Sequence, residues 1–443
     1  MTNQRAARGG PWSGLGLILL TGVLLVALAW VVADGRESAR IATARDLALQ
    51  GVRLRDVDDL AARLVGAAAV ELHADAGTRA ALTGTLLAGR QGNLPGASDV
   101  RDLALSADGR IALSADAHER VVRWELAPQG LPGRGLLVTA SSTLQDRLDA
   151  SAVALTADGR TGLIGGRDGS VRVWEMGGHS RSRTVVAGDG VRPVSAVALS
   201  RDGGRAVAGF DGGGVVFWDA AGGQLRRPSE VHASAVLSAG LSADGRRALT
   251  VSEDKAVVWD LADPARPVQA GVLTRPGVPW GAGALSADGR TAVTGNQVWD
   301  VGDPARLRRL ATLPGVRSLM IGVAFTSDGS GAVTGEDGGR VVWWGLRDRL
   351  RPVLLAELPG SPGPVGAVAL SADGGVAMSA AAGWGVMSWQ VGGISDDPLR
   401  DVCADSALRA LRVTPETWAK IAGGVGWPDG LGDPGPHNPC PAL

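Results

Sequence analysis

Tyrosine is missing from this chain, phenylalanine occurs three times, cysteine twice, and lysine only at Lys255 and Lys420. Each shortage excludes something. Neither lysine sits in a Gly-x-x-x-x-Gly-Lys-Ser/Thr run, so there is no phosphate-cradling loop of that kind. Gly-x-Ser-x-Gly and His-Glu-x-x-His are absent too, which removes the nucleophile elbow and the helical zinc pair. The histidines, His73, His118, His179, His232 and His437, are scattered, and local sequence assembles no metal or general-base cluster from them. A net charge of −1 supplies no bulk field to draw nucleic acid. No nucleic-acid partner, cofactor or resident metal is expected.

What the chain has in plenty is glycine, 66 residues, and one repeated pattern. A short apolar run leads to a Ser/Thr-x-Asp-Gly turn, a second apolar run and a tryptophan. The turn aspartates are Asp108, Asp158, Asp202, Asp244, Asp288, Asp328 and Asp373, 40 to 50 residues apart. The tryptophans assigned to them are Trp124, Trp174, Trp218, Trp259, Trp299, Trp343 and Trp389. Self-similarity at this period specifies an all-β, seven-bladed propeller, in which each small sheet buries its faces against its neighbours. The Asp-Gly pairs read as hairpin turns rather than calcium loops, because the alternating carboxylates of such loops are missing. The fifth copy is shortened at Gly295-Asn-Gln-Val-Trp299. No outer strand follows Trp389, and Leu82–Ala88 is expected to supply one, closing the ring from the other end of the chain. These limits put the propeller at residues 82–392.

The copies resemble WD repeats. Trp-Asp stands at Trp218-Asp219, Trp259-Asp260 and Trp299-Asp300. The resemblance implies a buried polar network in which a histidine, about a dozen residues before the turn aspartate, joins a Ser/Thr, an Asp and the Trp. Only the fourth copy has that histidine, His232; Thr250 or Ser252, with Asp254 and Trp259, would complete the set. Elsewhere the blades must rely on apolar packing, since a half-made buried network costs more than none.

Flanking regions differ in pattern. Residues 1–12 form a short tail, and 13–33 read as a single transmembrane helix. Leu15–Ala33 is almost wholly apolar, and its 19 residues cover about 28 Å at about 1.5 Å each. A cleaved signal peptide is the rival reading, since Val31-Val-Ala33 resembles a small-residue cleavage site. Arg5 and Arg8 on one side nearly balance Arg36, Arg40 and Arg45 on the other. The short leading tail suits an arrangement with the propeller outside the cytoplasm. Residues 38–81 show helical spacing, with Asp56 and Asp58 as candidate caps and Asp75-x-Gly77 opening a third helix. This neck reads as a spacer or as a docking module.

Residues 395–443 turn helical again, with a start signal at Thr414-Pro415. The layout is similar to bacterial membrane-anchored WD-repeat proteins with a tail of the form Cys…Thr-x-x-x-Trp…Cys. Cys403 and Cys440 both lie here. In an exported protein they would form a disulfide; free thiols, or a metal shared with His437, are the alternatives.

These readings make the chain a non-catalytic, single-pass scaffold or sensor of the bacterial cell membrane, binding a protein or small ligand on one face of the ring. The enzyme alternative, a hydrolase or lyase at the channel mouth, rests on Asp116-Ala-His118-Glu119 alone. A third reading is the remnant of a larger sensor, acting in trans with a separate signalling protein.

Overall fold

A computed structural model describes residues 36–403, together with Trp418 and Ala422. Residues 56–57, 89–90, 95–96, 98, 129–135, 144–148, 177–180, 187–191, 220–224, 227–230, 264–265, 275–279, 360–362 and 393–397 are not among them. The candidate membrane segment, Asp56, Thr414, Pro415, His437 and Cys440 lie outside the described residues. Among those described, no helix is long and apolar enough to cross a membrane.

Three helices come first: α1 (36–54), α2 (Asp59–Leu72) and α3 (Ala76–Ala88). The Asp58 side chain caps α2 by accepting from Ala61 N. Asp75 caps α3 through Thr78 N at 2.8 Å, and the Thr78 hydroxyl returns the favour to Asp75 N at 3.1 Å.

Seven four-stranded antiparallel sheets follow. In the first blade β2 (Val100–Leu105), β3 (Ile111–Asp116), β4 (Val121–Pro128) and β5 (Leu136–Thr143) run from the ring's inside outward. The first strands of successive blades touch in order around the ring. That of the seventh blade, β26 (Val365–Leu370), touches β2, so the ring is closed.

Closure does not come from Leu82–Ala88. That segment is the last part of α3, and β1 (Gln91–Leu94) is the strand that pairs with β28 (Gly385–Gln390), Gln91 facing Trp389 and Leu94 facing Val386. The physical reason is burial on both sides. Leu82 and Leu86 face the helical core, while Leu87 enters the core between the last two blades. The Thr83 and Thr85 hydroxyls bond back to Arg79 O and Leu82 O, so neither needs a sheet partner. Gly84 lets the helix approach β25 (Val353–Leu358), where a Cβ would lie 3.0 Å from Glu357 O.

The neck is not a free spacer. Ala44, Leu47, Leu64, Val65, Leu72, Leu82 and Leu86 share one core with Val402, Trp418 and Ala422 of the C-terminal extension. The two ends of the chain therefore form one helical module, fastened by α3 to the outer strand of blade six.

The Ser/Thr-x-Asp-Gly turns join first and second strands in every blade. Each hydroxyl donates to its aspartate, as Ser106 to Asp108 at 2.7 Å and Ser371 to Asp373 at 2.6 Å. It also accepts the backbone N–H five residues on, Ile111 N and Val376 N in these two cases. Gly109 holds φ +69°, and a Cβ there would lie 2.9 Å from Val376 of the preceding blade. Between blades, the residue after the hydroxyl donates its N–H to the matching carbonyl of the next: Ala107 to Ala157, Ala157 to Arg201, Arg201 to Ala243, Ala243 to Ala287, Ser327 to Ala372 and Ala372 to Ala107. Only the step from blade five to blade six, Ala287 to Ser327, is not made.

Candidate functional site

Because strand direction alternates, the Asp-Gly turns lie on one face of the ring and the turns between second and third strands on the other. On the Asp-Gly face the carboxylates are committed to their own turns. The Arg160 N–H holds the Asp158 carboxyl below its usual range, and the Ser200, Thr326 and Ser371 hydroxyls do the same for Asp202, Asp328 and Asp373. Asp244 and Asp288 accept from Ser242 and Ser286 in the same way.

The repeat tryptophans occupy one register position, opposite a small residue of the second strand: Trp124 faces Ala112, Trp174 Gly162, Trp218 Ala206, Trp259 Ala248, Trp299 Ala292 and Trp389 Ala377. In blade six that place belongs to Trp344, which faces Ala332, and not to Trp343. Side chains alternate across a strand, so the slip of one residue puts Trp343 on the opposite face. Trp344 is fully buried, and its indole donates to Thr334 Oγ1 at 2.9 Å. Trp124 donates likewise to Ser114, Trp259 to Thr250 and Trp299 to Thr294, each at 2.9 Å. In blade seven the Trp389 N–H and the Ser379 hydroxyl are both buried without a partner.

Blade four extends this bond into a chain. His232 Nε2 lies 2.8 Å from Thr250 Oγ1, its Nδ1 2.7 Å from Ser252 Oγ, and Ser252 reaches Asp254. Both hydroxyl residues take part, not one. Donor counting fixes the protons. The Asp254 carboxylate only accepts, so Ser252 donates to it and accepts from His232 Nδ1–H. Nε2 is then the bare nitrogen, and Thr250 donates to it while accepting from the Trp259 indole. Burial pushes the His232 pKa down to about 4, the nearby Asp254 charge opposing and Lys255 assisting. The imidazole stays neutral and structural.

Asp116 differs from His118 and Glu119 in exposure. Asp116 is buried, its carboxylate accepting from His118 N, Arg120 N and, at 2.7 Å, Arg120 Nε. His118 and Glu119 lie exposed at the hairpin tip.

Asp102, on the innermost strand of blade one, bridges to the next blade. Asp102 accepts from Leu103 N and, across the seam to blade two, from Val153 N at 2.7 Å. In blade four Ser238 takes the same place and accepts from Gly283 N. Asp102 is partly buried, and burial lifts its pKa to about 6 despite the two N–H donors. A carboxyl raised in the folded state penalises folding in full above its folded value of about 6, and that penalty fades as pH falls below it and is gone below the ordinary carboxylate value. At neutral pH Asp102 costs up to about 2 kcal/mol. Asp102→Ser keeps an acceptor for Val153 N without the charge. It is expected to stabilise the protein at pH 7.5 by about 1–2 kcal/mol, with the advantage about halved at pH 5 and nearly gone at about pH 3.5, in denaturant titrations at the three values. A pH-independent difference would contradict this.

The hairpin tips of the other face also stand in solvent. Ala117–Arg120, Arg167–Asp168, Asp211–Gly212, Glu253–Asp254, Asp337–Gly338 and Ala382–Trp384 all stand in solvent. Trp384 is 57% exposed and lies against Gly363, where a Cβ would be 3.0 Å from the indole. Beside it Asp99, at φ +51°, ties two hairpins together: its side chain accepts from Gly383 N and its carbonyl from Ala117 N. Glu119 holds φ +62° where blades two, three and six have Gly169, Gly213 and Gly339. Glu119→Gly is expected to raise stability by about 0.5–1 kcal/mol, read as a higher denaturant midpoint. A lower midpoint would mean the glutamate's contacts outweigh its strain. Asp102, Asp99 and Trp384 carried no sequence signal, since each owes its place to the meeting of blades.

Cys403 is buried and disulfide-bonded. No group of three or more His, Cys, Asp or Glu side chains among the described residues could hold a metal ion. No protein-family model matches the chain, and no curated protein matches it either.

Proposed function

We propose that this chain is a membrane-held WD-repeat platform whose hairpin face binds a protein or small ligand. The observation that carries it is Trp384, a large aromatic set out in solvent on a rigid ring. Exposed aromatics on rigid supports are the common anchors of binding surfaces. The WD-repeat assignment draws support from the Trp-Asp pairs, the recurring Trp-to-hydroxyl bond and the His232 chain in blade four. The membrane part rests on the apolar run Leu15–Ala33, which would hold the ring at a bacterial membrane, outside the cytoplasm. A disulfide-bonded Cys403 fits that oxidising side. The helical module grips the outer edge of blade six and leaves the hairpin tips open.

A photo-crosslinking residue placed at position 384 tests the binding role in living cells. Discrete adducts are expected from position 384, with none from position 160 on the Asp-Gly face. Adducts from 160 and none from 384 would assign binding to the wrong face here and overturn the proposal.

A further inference from the structure

We propose that the hairpin face at the seam of blades seven and one binds a cationic, arginine- or lysine-bearing segment of a protein partner, an inference that rests on the platform reading above. Three side chains make the surface. Trp384 offers an exposed indole. Asp99 holds both flanking hairpins, through Gly383 N at 3.1 Å and Ala117 N at 3.0 Å, and so fixes the distance between Trp384 and the tip that bears His118 and Glu119. Glu119 adds a second carboxylate at that exposed tip.

The local charge is uncompensated. Among the described residues neither Asp99 nor Glu119 makes an ion pair, whereas the neighbouring cations are taken: Arg120 by Asp116 and Arg101 by Asp149, each at 2.7 Å. An exposed indole whose sequence neighbour Gly383 is bonded to the Asp99 carboxylate, with the Glu119 carboxylate on the adjoining hairpin, suits a guanidinium or ammonium, which gains from the ring quadrupole and from the charges together. The hairpin tips project into solvent. Small ligands need most of their surface buried, so this shape suits an extended peptide better.

The test is fluorescence anisotropy of a fluorescein-labelled hexa-arginine peptide with the full-length protein in detergent, at near-physiological salt. Binding is expected, weakened about fivefold to tenfold by Trp384→Ala and about threefold by Glu119→Gly. Hexaglutamate is expected not to bind. Glycine suits the backbone at position 119, so that second variant keeps the fold while removing the charge. Asp337→Asn, on the hairpin of blade six, is expected to leave affinity unchanged. Equal affinity in wild type, Trp384→Ala and Glu119→Gly would overturn the assignment, as would an equal loss in Asp337→Asn. Crosslinked adducts from position 384 with no peptide binding would leave the platform standing and remove the cationic partner.

Discussion

Replacing His232 with alanine is expected to cost about 3–4 kcal/mol, the largest loss from any single polar side chain in the ring. The change removes two hydrogen bonds at once, to Thr250 and Ser252, and leaves both hydroxyls buried. It also opens a cavity beneath Trp259. The orphaned groups matter more than the bonds, because a buried donor or acceptor without a partner pays its full desolvation. Two other blades do without the hydroxyl and the histidine together. Ile164 and Ala208 stand opposite Val153 and Val197 as Thr250 stands opposite Ala239, and those blades pack without the polar chain. The triple replacement His232→Leu, Thr250→Val, Ser252→Ala is therefore expected to cost less than His232→Ala alone. Denaturant midpoints of the three proteins decide it. A triple variant that loses the sum of its parts would show that the residues act independently. The neutral imidazole also makes blade four acid-sensitive: with its folded pKa depressed to about 4, His232 contributes stability above the unfolded value that is lost as pH falls toward 4.

Cys403→Ser is expected to release the C-terminal extension from the neck. Cys440 is the only other cysteine of the chain, and we propose it as the partner of Cys403. A bond between them closes a loop of 37 residues (440 less 403), worth about 3–4 kcal/mol on the chain-entropy account. That stabilisation belongs to the helical module, where Val402 and Trp418 share a core with Leu64, Leu82 and Leu86. In hydrogen exchange the Cys403→Ser protein should lose protection in α1–α3 while the blades keep theirs. Unchanged protection in the helices would mean that apolar packing alone holds the tail.

The ring was legible because its signal is local chemistry. A hydroxyl two residues before an aspartate, followed by glycine, builds the same turn wherever it stands, and seven copies announce seven blades. The tryptophan of blade six was misread because two adjoin. The 16-residue interval of Asp108–Trp124 and Asp373–Trp389 matches Asp328–Trp344, and that interval marks the right one. The closing strand was not legible. Gln91-Gly-Asn-Leu94 is short and polar, held by backbone pairing to β28, while the apolar stretch before it is a helix buried on two sides and carries no 3.6-residue rhythm. The joint core of neck and tail, and the Asp99 clasp between the hairpins of blades one and seven, join residues more than 280 positions apart. No local pattern encodes such meetings.

We propose that the ring is held outside the cytoplasm, its hairpin face open to partners there. Protease accessibility in intact cells, with lysed cells as control, tests that most directly. Digestion of the propeller in intact cells is the expected result. Protection until lysis would place the ring in the cytoplasm and contradict the account.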